Sequence, residues 1–178
     1  MSNEVPTLRT DRLLLRAFSR ADIPAMVTLM GAREVAATTL RIPHPYSASD
    51  AEILFAGLEG DNEVRWAVTL PPDGTLIGGV GLRLERDHNR AELGYWIGVP
   101  YWGNGYATEA ARAVLQYGFV TLDLQRIYAS HFSNNPASAA VLRKVGMKHE
   151  GSLREHILKW EKYLDLEVYA VLKANYRP

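Results

Sequence analysis

The sequence predicts one α/β domain over residues 1–178, in which about four helices flank a mixed, mostly antiparallel sheet of about seven strands. Three observations predict it. A chain of 178 residues that is 47% hydrophobic can bury a full core without disulfides or metal staples. From Val64 to Val99 the sequence breaks into three short strand-like runs, joined by links too short for anything but antiparallel neighbours. From Ala91 to Phe132 it then runs strand, glycine-rich turn, helix and strand, an order that needs a right-handed crossover between parallel strands.

Taken in order, Leu13 to Phe18 is an apolar run of strand length, and Ser19 with Asp22 makes a capping-box start for a helix carrying Ile23, Met26, Val27 and Met30. Ser47 and Asp50 repeat the start signal, and Ala51, Leu54, Phe55 and Leu58 repeat the spacing. Between these helices Ile42-Pro43-His44-Pro45-Tyr46 is a rigid loop, because each proline lacks a donor and restricts the residue before it. Strands follow at Val64–Leu70, Leu76–Leu84 and Ala91–Val99, divided by Pro71-Pro72-Asp73-Gly74 and Arg86-Asp87-His88-Asn89. Ala107, Ala110, Ala111, Val114, Leu115, Phe119 and Leu122 trace one face of a long helix, and Arg126–Phe132 is the next strand. Asn135 as N-cap, Pro136 and the stop at Gly146 bound a fourth helix whose inner face would carry Ala137, Ala140, Val141 and Val145. Gly151 to Lys173 alternates well enough for two more strands.

Composition excludes several function classes. Twenty basic residues against twenty acidic ones leave no bulk field to draw the chain to nucleic acid or an anionic membrane. With no cysteine there is no disulfide framework, thiolate zinc site or cysteine nucleophile, and no metal is expected. Met1 to Thr7 is short, polar and acidic, unlike a signal peptide, and no run approaches the roughly 20 apolar residues of a membrane span. A cytoplasmic protein is expected.

The chemistry concentrates in Trp102-Gly103-Asn104-Gly105-Tyr106-Ala107. Where a strand feeds a helix through Gly103-x-Gly105-x-Ala107, small side chains let consecutive backbone N–H groups and the helix's positive end approach a pyrophosphate. The bare pattern is weak, since a tight turn needing glycine only for its dihedral angles reads the same. A P-loop is excluded because no Gly-Lys-Ser/Thr follows. A dinucleotide fingerprint fits Gly103 and Gly105, with Asp123 at a tolerable distance for a ribose contact, but Thr108 stands where the third glycine belongs. The turn also follows an antiparallel meander, which counts against that reading.

Arg90-Ala91-Glu92-Leu93-Gly94-Tyr95-Trp96-Ile97-Gly98, followed by Tyr101 to Ala110, resembles the GNAT N-acetyltransferases of the ribosomal-protein (RimJ/RimL-type) branch. Asn134-Asn135-Pro136-Ala137-Ser138 with Leu142, Lys144, Gly146 and Met147 is similar to that branch's second motif. The opening Leu8 to Arg16 and the closing Gly151-Ser152-Leu153-Arg154, with Asp165 and Tyr169, look like its flanks. The resemblance implies a sheet splayed between the fourth and fifth strands, with a bulge on the fourth freeing backbone groups for acetyl-CoA. It implies that main-chain groups of Ile97 and Val99 meet the pantetheine arm. Gly103, Asn104, Gly105, Tyr106, Ala107 and Thr108 would hold the pyrophosphate, and Asn135 would cap its helix and touch pantetheine. A main-chain N–H near Val99 would meet the oxyanion, worth about 3 kcal/mol. Trp102 departs from the Gln or Arg that usually opens this loop, so the cradle should work through its backbone.

Acyl transfer to an amine needs the amine neutral when it attacks, so a group must accept a proton directly or through water. Glu92, two residues before Gly94, is the candidate; the competing reading is a strand carboxylate salt-bridged to Arg90 or Arg126. His88 and Glu150 stand in reserve. Leu142 occupies the position where other branches carry a tyrosine acid, so by resemblance Ser138 serves the departing thiolate, although its position also suits a helix-end role. With no cysteine and no Ser-His-Asp spacing, direct attack in a ternary complex is expected. The two early helices, the Pro43-His44-Pro45 loop and the Trp160 to Tyr163 hairpin would shape the acceptor pocket, for a small-molecule amine or a protein N-terminus. Larger acyl donors stay open, as do two other classes, a non-catalytic acyl-CoA sensor and a dinucleotide-binding oxidoreductase. A homodimer is an expectation by analogy alone.

Overall fold

A computed structural model describes residues 5–58, 60 and 62–177, with the Leu58 side chain outside the described part. The strands are β1 (Leu8–Arg9), β2 (Leu14–Arg16), β3 (Glu63–Leu70), β4 (Thr75–Glu85), β5 (Arg90–Ile97), β6 (Arg126–Phe132), β7 (Lys148–Lys159) and β8 (Lys162–Leu172). They form one sheet in the order β1-β2-β3-β4-β5-β6-β8-β7. Among the described residues five α-helices accompany them: α1 (Ile23–Met30), α2 (Arg33–Thr38), α3 (Ala48–Leu58), α4 (Tyr106–Gln116) and α5 (Pro136–Lys144).

The mixed sheet and the parallel crossover are as the sequence implies, and the differences have local causes. The eighth strand is β1, two residues that fold back on β2 through Leu8↔Leu15 and Arg9↔Leu14, too short to show a period. The fifth helix is α2, six residues behind Ala32, which offers no side-chain cap to announce it. Ser47 and Asp50 do cap α3, Ser47 N–H donating to the Asp50 carboxylate at 2.7 Å. β5 ends at Ile97 rather than Val99, because Pro100 cannot continue a ladder and Val99–Tyr101 turns instead. The long helix ends its α-helical part at Gln116 and continues as a π-helical turn over Tyr117–Thr121.

Side-chain alternation sends neighbours to opposite faces. Trp66 joins Leu82, Leu93, Val114, Leu115, Ile127 and Leu142 beneath α4 and α5, while Ala67 joins Met26, Met30, Tyr46, Ala51 and Phe55 beneath α1 and α3. In α5 and at its C-cap the buried positions are Ala139, Leu142 and Val145; Ala137, Ala140 and Val141, expected inward, line a cavity, although Val141 also packs against the core. The apolar side of that helix is divided between core and cleft.

The splay lies between β5 and β6, one strand later in the count because β1 adds an edge strand. These two pair, in parallel, only at Arg90↔Arg126, Ala91↔Ile127 and Glu92↔Tyr128. The bulge expected on the strand before it is not present, since β5 keeps unbroken register with β4 from Glu85↔Arg90 to Gly78↔Ile97. Divergence of the two strands opens the cleft, and the register shifts fall elsewhere, at Val68/Thr69 and in β7. Among the described residues no helix is long and apolar enough to cross a membrane.

Candidate active site

The glycine-rich turn delivers the chain into α4 with its N-terminus bare. Gly105 is the N-cap at φ +80°, left-handed and without a side-chain cap. An α-helix leaves its first N–H groups without partners inside the helix, and the first residue bonded back to the turn is Glu109, whose N–H reaches Gly105 O at 3.1 Å. The donors of Tyr106, Ala107 and Thr108 therefore point out of the helix end beside Gly103, itself at φ +78°. Asn104 serves the turn's own shape, its Nδ2 donating to Tyr101 O at 3.1 Å and Trp102 O at 3.0 Å.

Two contacts that shape this turn escape a reading of the turn alone. Trp102 donates its Nε1–H to Ile97 O at 2.6 Å, tying the turn to the end of β5. Arg12, 93 residues before Gly105, wraps the loop from outside: Nη1 donates to Asn104 O at 3.1 Å and the guanidinium lies 4.9 Å from the Tyr106 ring centroid. Glu109 holds Arg12 there, accepting from its main-chain N–H at 2.9 Å, its Nε at 2.8 Å and, at 2.6 Å, the Thr10 hydroxyl. A lone Arg between two short strands gives no sign of such a contact.

From the turn the cleft runs along the free edge of β5. Gly98 N–H bonds Ile77 O at 2.8 Å, so antiparallel alternation aims the main-chain groups of Tyr95 and Ile97 at the opposite edge, into the splay. Val99 opens the following turn. A single cavity of about 540 Å³ joins Gly103, Gly105 and Thr108 to Ile97, Tyr95, Asn135 and Ser138, and continues to Glu92. Asn135 caps α5 as expected, its Oδ1 accepting from Ser138 N–H at 3.2 Å. Ser138 Oγ and Tyr95 Oη are hydrogen-bonded at 2.7 Å. Burial pushes the Tyr95 phenol up to about 12 against the weaker pull of Ser138, so it keeps its proton at neutral pH. Tyr95 shares the strand period of Leu93 and Ile97, the signal that could have found it.

Glu92 stands on the other face of β5, in a row that crosses four strands through Glu63↔Arg83, Arg83↔Glu92 and Glu92↔Tyr128. It is salt-bridged, but to Arg83 and, at 3.2 Å, to Arg41 of the loop after α2; Arg90 and Arg126 pair instead with Glu85 and Glu150. Both contacts to Glu92 use Oε2. The reserve residues His88 and Glu150 lie outside the cavity lining. His131, which sequence reading passed over, lines it: Nδ1 sits 2.7 Å from Phe132 O, and among the described residues the buried Nε2 has no partner.

The loop that carries Arg41 is braced rather than free. Lys159 Nζ donates to Thr39 O, the Arg33 guanidinium lies 4.8 Å from the Trp160 ring centroid, and Trp160 meets His44 edge-on at 6.1 Å. Leu40, Arg41 and Ile42 line the cavity; the Trp160–Tyr163 hairpin, expected in the pocket wall, supports the loop from behind.

A family model for the acetyltransferase (GNAT) domain matches residues 12–148. The chain is 35% identical to "Uncharacterized N-acetyltransferase YoaA" of Bacillus subtilis (strain 168) over 96% of its own length and 98% of the relative's. Among solved structures, an acetyltransferase (GNAT family) from Bacillus anthracis superposes with a TM-score of 0.85 at 27% identity, covering 95% of this chain and 99% of that one. The spermidine N-acetyltransferase from Vibrio cholerae in complex with CoA and spermine gives 0.83 at 27% identity, covering 94% and 99%. A sheet parted beside a bare helix N-terminus is thus the framework of an acyl-transferring domain, and the chain belongs to the GNAT acetyltransferase family. It is an N-acetyltransferase.

Proposed function

We propose that the protein takes acetyl-CoA along the splay and transfers the acetyl group to the primary amine of a small molecule by direct attack in a ternary complex. The observation that supports this is the continuity of one cavity from the bare N-terminus of α4, past the free edge of β5, to Glu92. In this reading the N–H groups of residues 103–108 hold the pyrophosphate. The main chain of Ile97 and Val99 orients the pantetheine and oxyanion ends, with Ile97 O already engaged by Trp102. Glu92 accepts the amine proton, directly or through a water, with Oε1 available because both arginines occupy Oε2. Tyr95 donates to Ser138, whose hydroxyl then turns its proton to the departing thiolate. Placement in the ribosomal-protein branch rests on the motifs at Tyr101–Ala110 and Asn134–Ser138.

The relatives' names support a small acceptor, since one of the similar structures is a spermidine N-acetyltransferase holding spermine. Thermal shift with acetyl-CoA and thiol release in the presence of amines test the proposal together. Acetyl-CoA should raise Tm, because a ligand that binds only the folded state stabilises it. Thiol release should require an amine; equal release without one would refute transfer.

A further inference from the structure

We infer that the acceptor is a zwitterionic amine, bearing a carboxylate or phosphate close to its amino group, and that Arg41 and Arg83 read the anion while Glu92 faces the amine. This deepens the acetyltransferase reading and rests on it.

On the sheet face under α1 and α3, the charged residues lining the cavity are Arg41, Arg65 and Arg83 against Glu63 and Glu92. Arg65 and Glu63 neutralise each other at 2.6 Å. Arg41 and Arg83 then share the single carboxylate of Glu92, on one oxygen, which leaves an excess positive charge. Each guanidinium carries five donors in a rigid fork, and both side chains remain about half exposed, at 53% and 44%; among the described residues each commits only one nitrogen, to Glu92. Phe18, Ile42, Leu54 and Trp96 wall the same space and keep it apolar, which strengthens any charge pairing inside.

An acceptor of three kinds can enter. A polyamine brings positive charge to a site that is already positive. An alkyl amine without an anion enters as a monocation, displaces water from the arginines and offers them nothing in return, which selects against it. A zwitterion satisfies both ends: its anion takes the guanidinium forks bidentately and its amine is left beside Glu92. The Glu92 carboxylate, between the acceptor's two charges, then fixes which end points toward the splay.

The test uses amine pairs that differ only in the anion: leucine against 3-methylbutylamine, phenylalanine against phenethylamine, and phosphoethanolamine against ethanolamine, with spermidine as the polycation. The first two pairs report a carboxylate and the third a phosphate. Thiol release with acetyl-CoA should give the anionic member of a pair at least a tenfold higher kcat/KM. Arg41→Gln should remove that preference while keeping the acetyl-CoA thermal shift, which shows that the variant is folded with its carrier site intact; Arg83→Lys, which keeps the charge and loses the fork, should narrow it. Equal or better use of the anion-free amines or of spermidine overturns the proposal and leaves the acetyltransferase reading standing. An acetyl-CoA shift without turnover of any anionic amine also overturns it, and the absence of an acetyl-CoA shift overturns both.

Discussion

Glu109→Gln removes the charge at the centre of the clamp behind the proposed phosphate cradle while keeping its shape. Burial alone would push the Glu109 carboxyl up, but hydrogen bonds from Thr10, the Arg12 N–H and the Arg12 guanidinium outweigh it and hold the group below the usual carboxylate range. Glutamine keeps an amide oxygen with two lone pairs, so both bonds to Oε1, from Thr10 and the Arg12 N–H, survive, and its NH2 opposes the guanidinium that Oε2 accepted from. Arg12 is half exposed, so its ion pair is worth at most about 1 kcal/mol, and a lost bond to a partly buried acceptor adds about 1 kcal/mol. The variant should lose about 1–2 kcal/mol at pH 7, a fall in Tm of roughly 2–8 °C for a chain of this size. Because the folded carboxyl is depressed, its contribution is complete above the unfolded value of about 4.3 and fades as pH falls through the lower folded value. Urea unfolding of both proteins at pH 7 and at pH 4 and below should show a gap that narrows with acid. The acetyl-CoA KM should rise as well, since Arg12 no longer holds Asn104 O. A gap of the same size at every pH would refute the electrostatic account.

Four further outcomes follow from the same geometry. Gly105→Val should abolish the acetyl-CoA thermal shift while circular dichroism stays native, because a β-branched residue resists φ +80° and shifts the donors by more than binding tolerates. Glu92→Gln should lower kcat about 100-fold with acetyl-CoA affinity unchanged, and an unchanged kcat would remove Glu92 from proton transfer. Tyr95→Phe deletes the 2.7 Å partner of Ser138 and should cost about fivefold in kcat, read by thiol release under saturating substrates. Leu142→Ala, at a fully buried position, should cost about 2–5 kcal/mol in chemical denaturation with little change in kcat for the folded fraction.

Period and punctuation made most of the fold legible. The strand runs around Pro71-Pro72-Asp73-Gly74, the Ser47/Asp50 box and the Asn135-Pro136 start each declare themselves within four residues, and each appears where expected. What escaped lies in pieces too short to have a period, such as Leu8–Arg9, or in helices without a capping residue, such as Arg33–Thr38. At the candidate site, the left-handed Gly105 and the Asn135 cap were readable because backbone conformation and capping chemistry are local, whereas Ser138 was picked out by resemblance alone. The partners of Glu92 were not, because Arg83 is set by cross-strand register and Arg41 by where a loop is braced. Arg12 is hidden for the same reason, as its clamp joins residues 97 apart.

The β7–β8 hairpin closes on Trp160 and Glu161, both in the left-handed region at φ +47° and +63°. Two-residue hairpin loops of this kind favour Asn-Gly, and each ordinary side chain there costs about 1–2 kcal/mol. The indole offsets that cost by packing against His44, Arg33 and Lys159. The segment around Arg41 therefore borrows its shape from a tip 120 residues away, through the Lys159 to Thr39 contact. On the proposed acceptor reading, exchange of residue 160 should alter the range of amines accepted with every residue in the cavity wall unchanged, so selectivity would drift from outside the cavity.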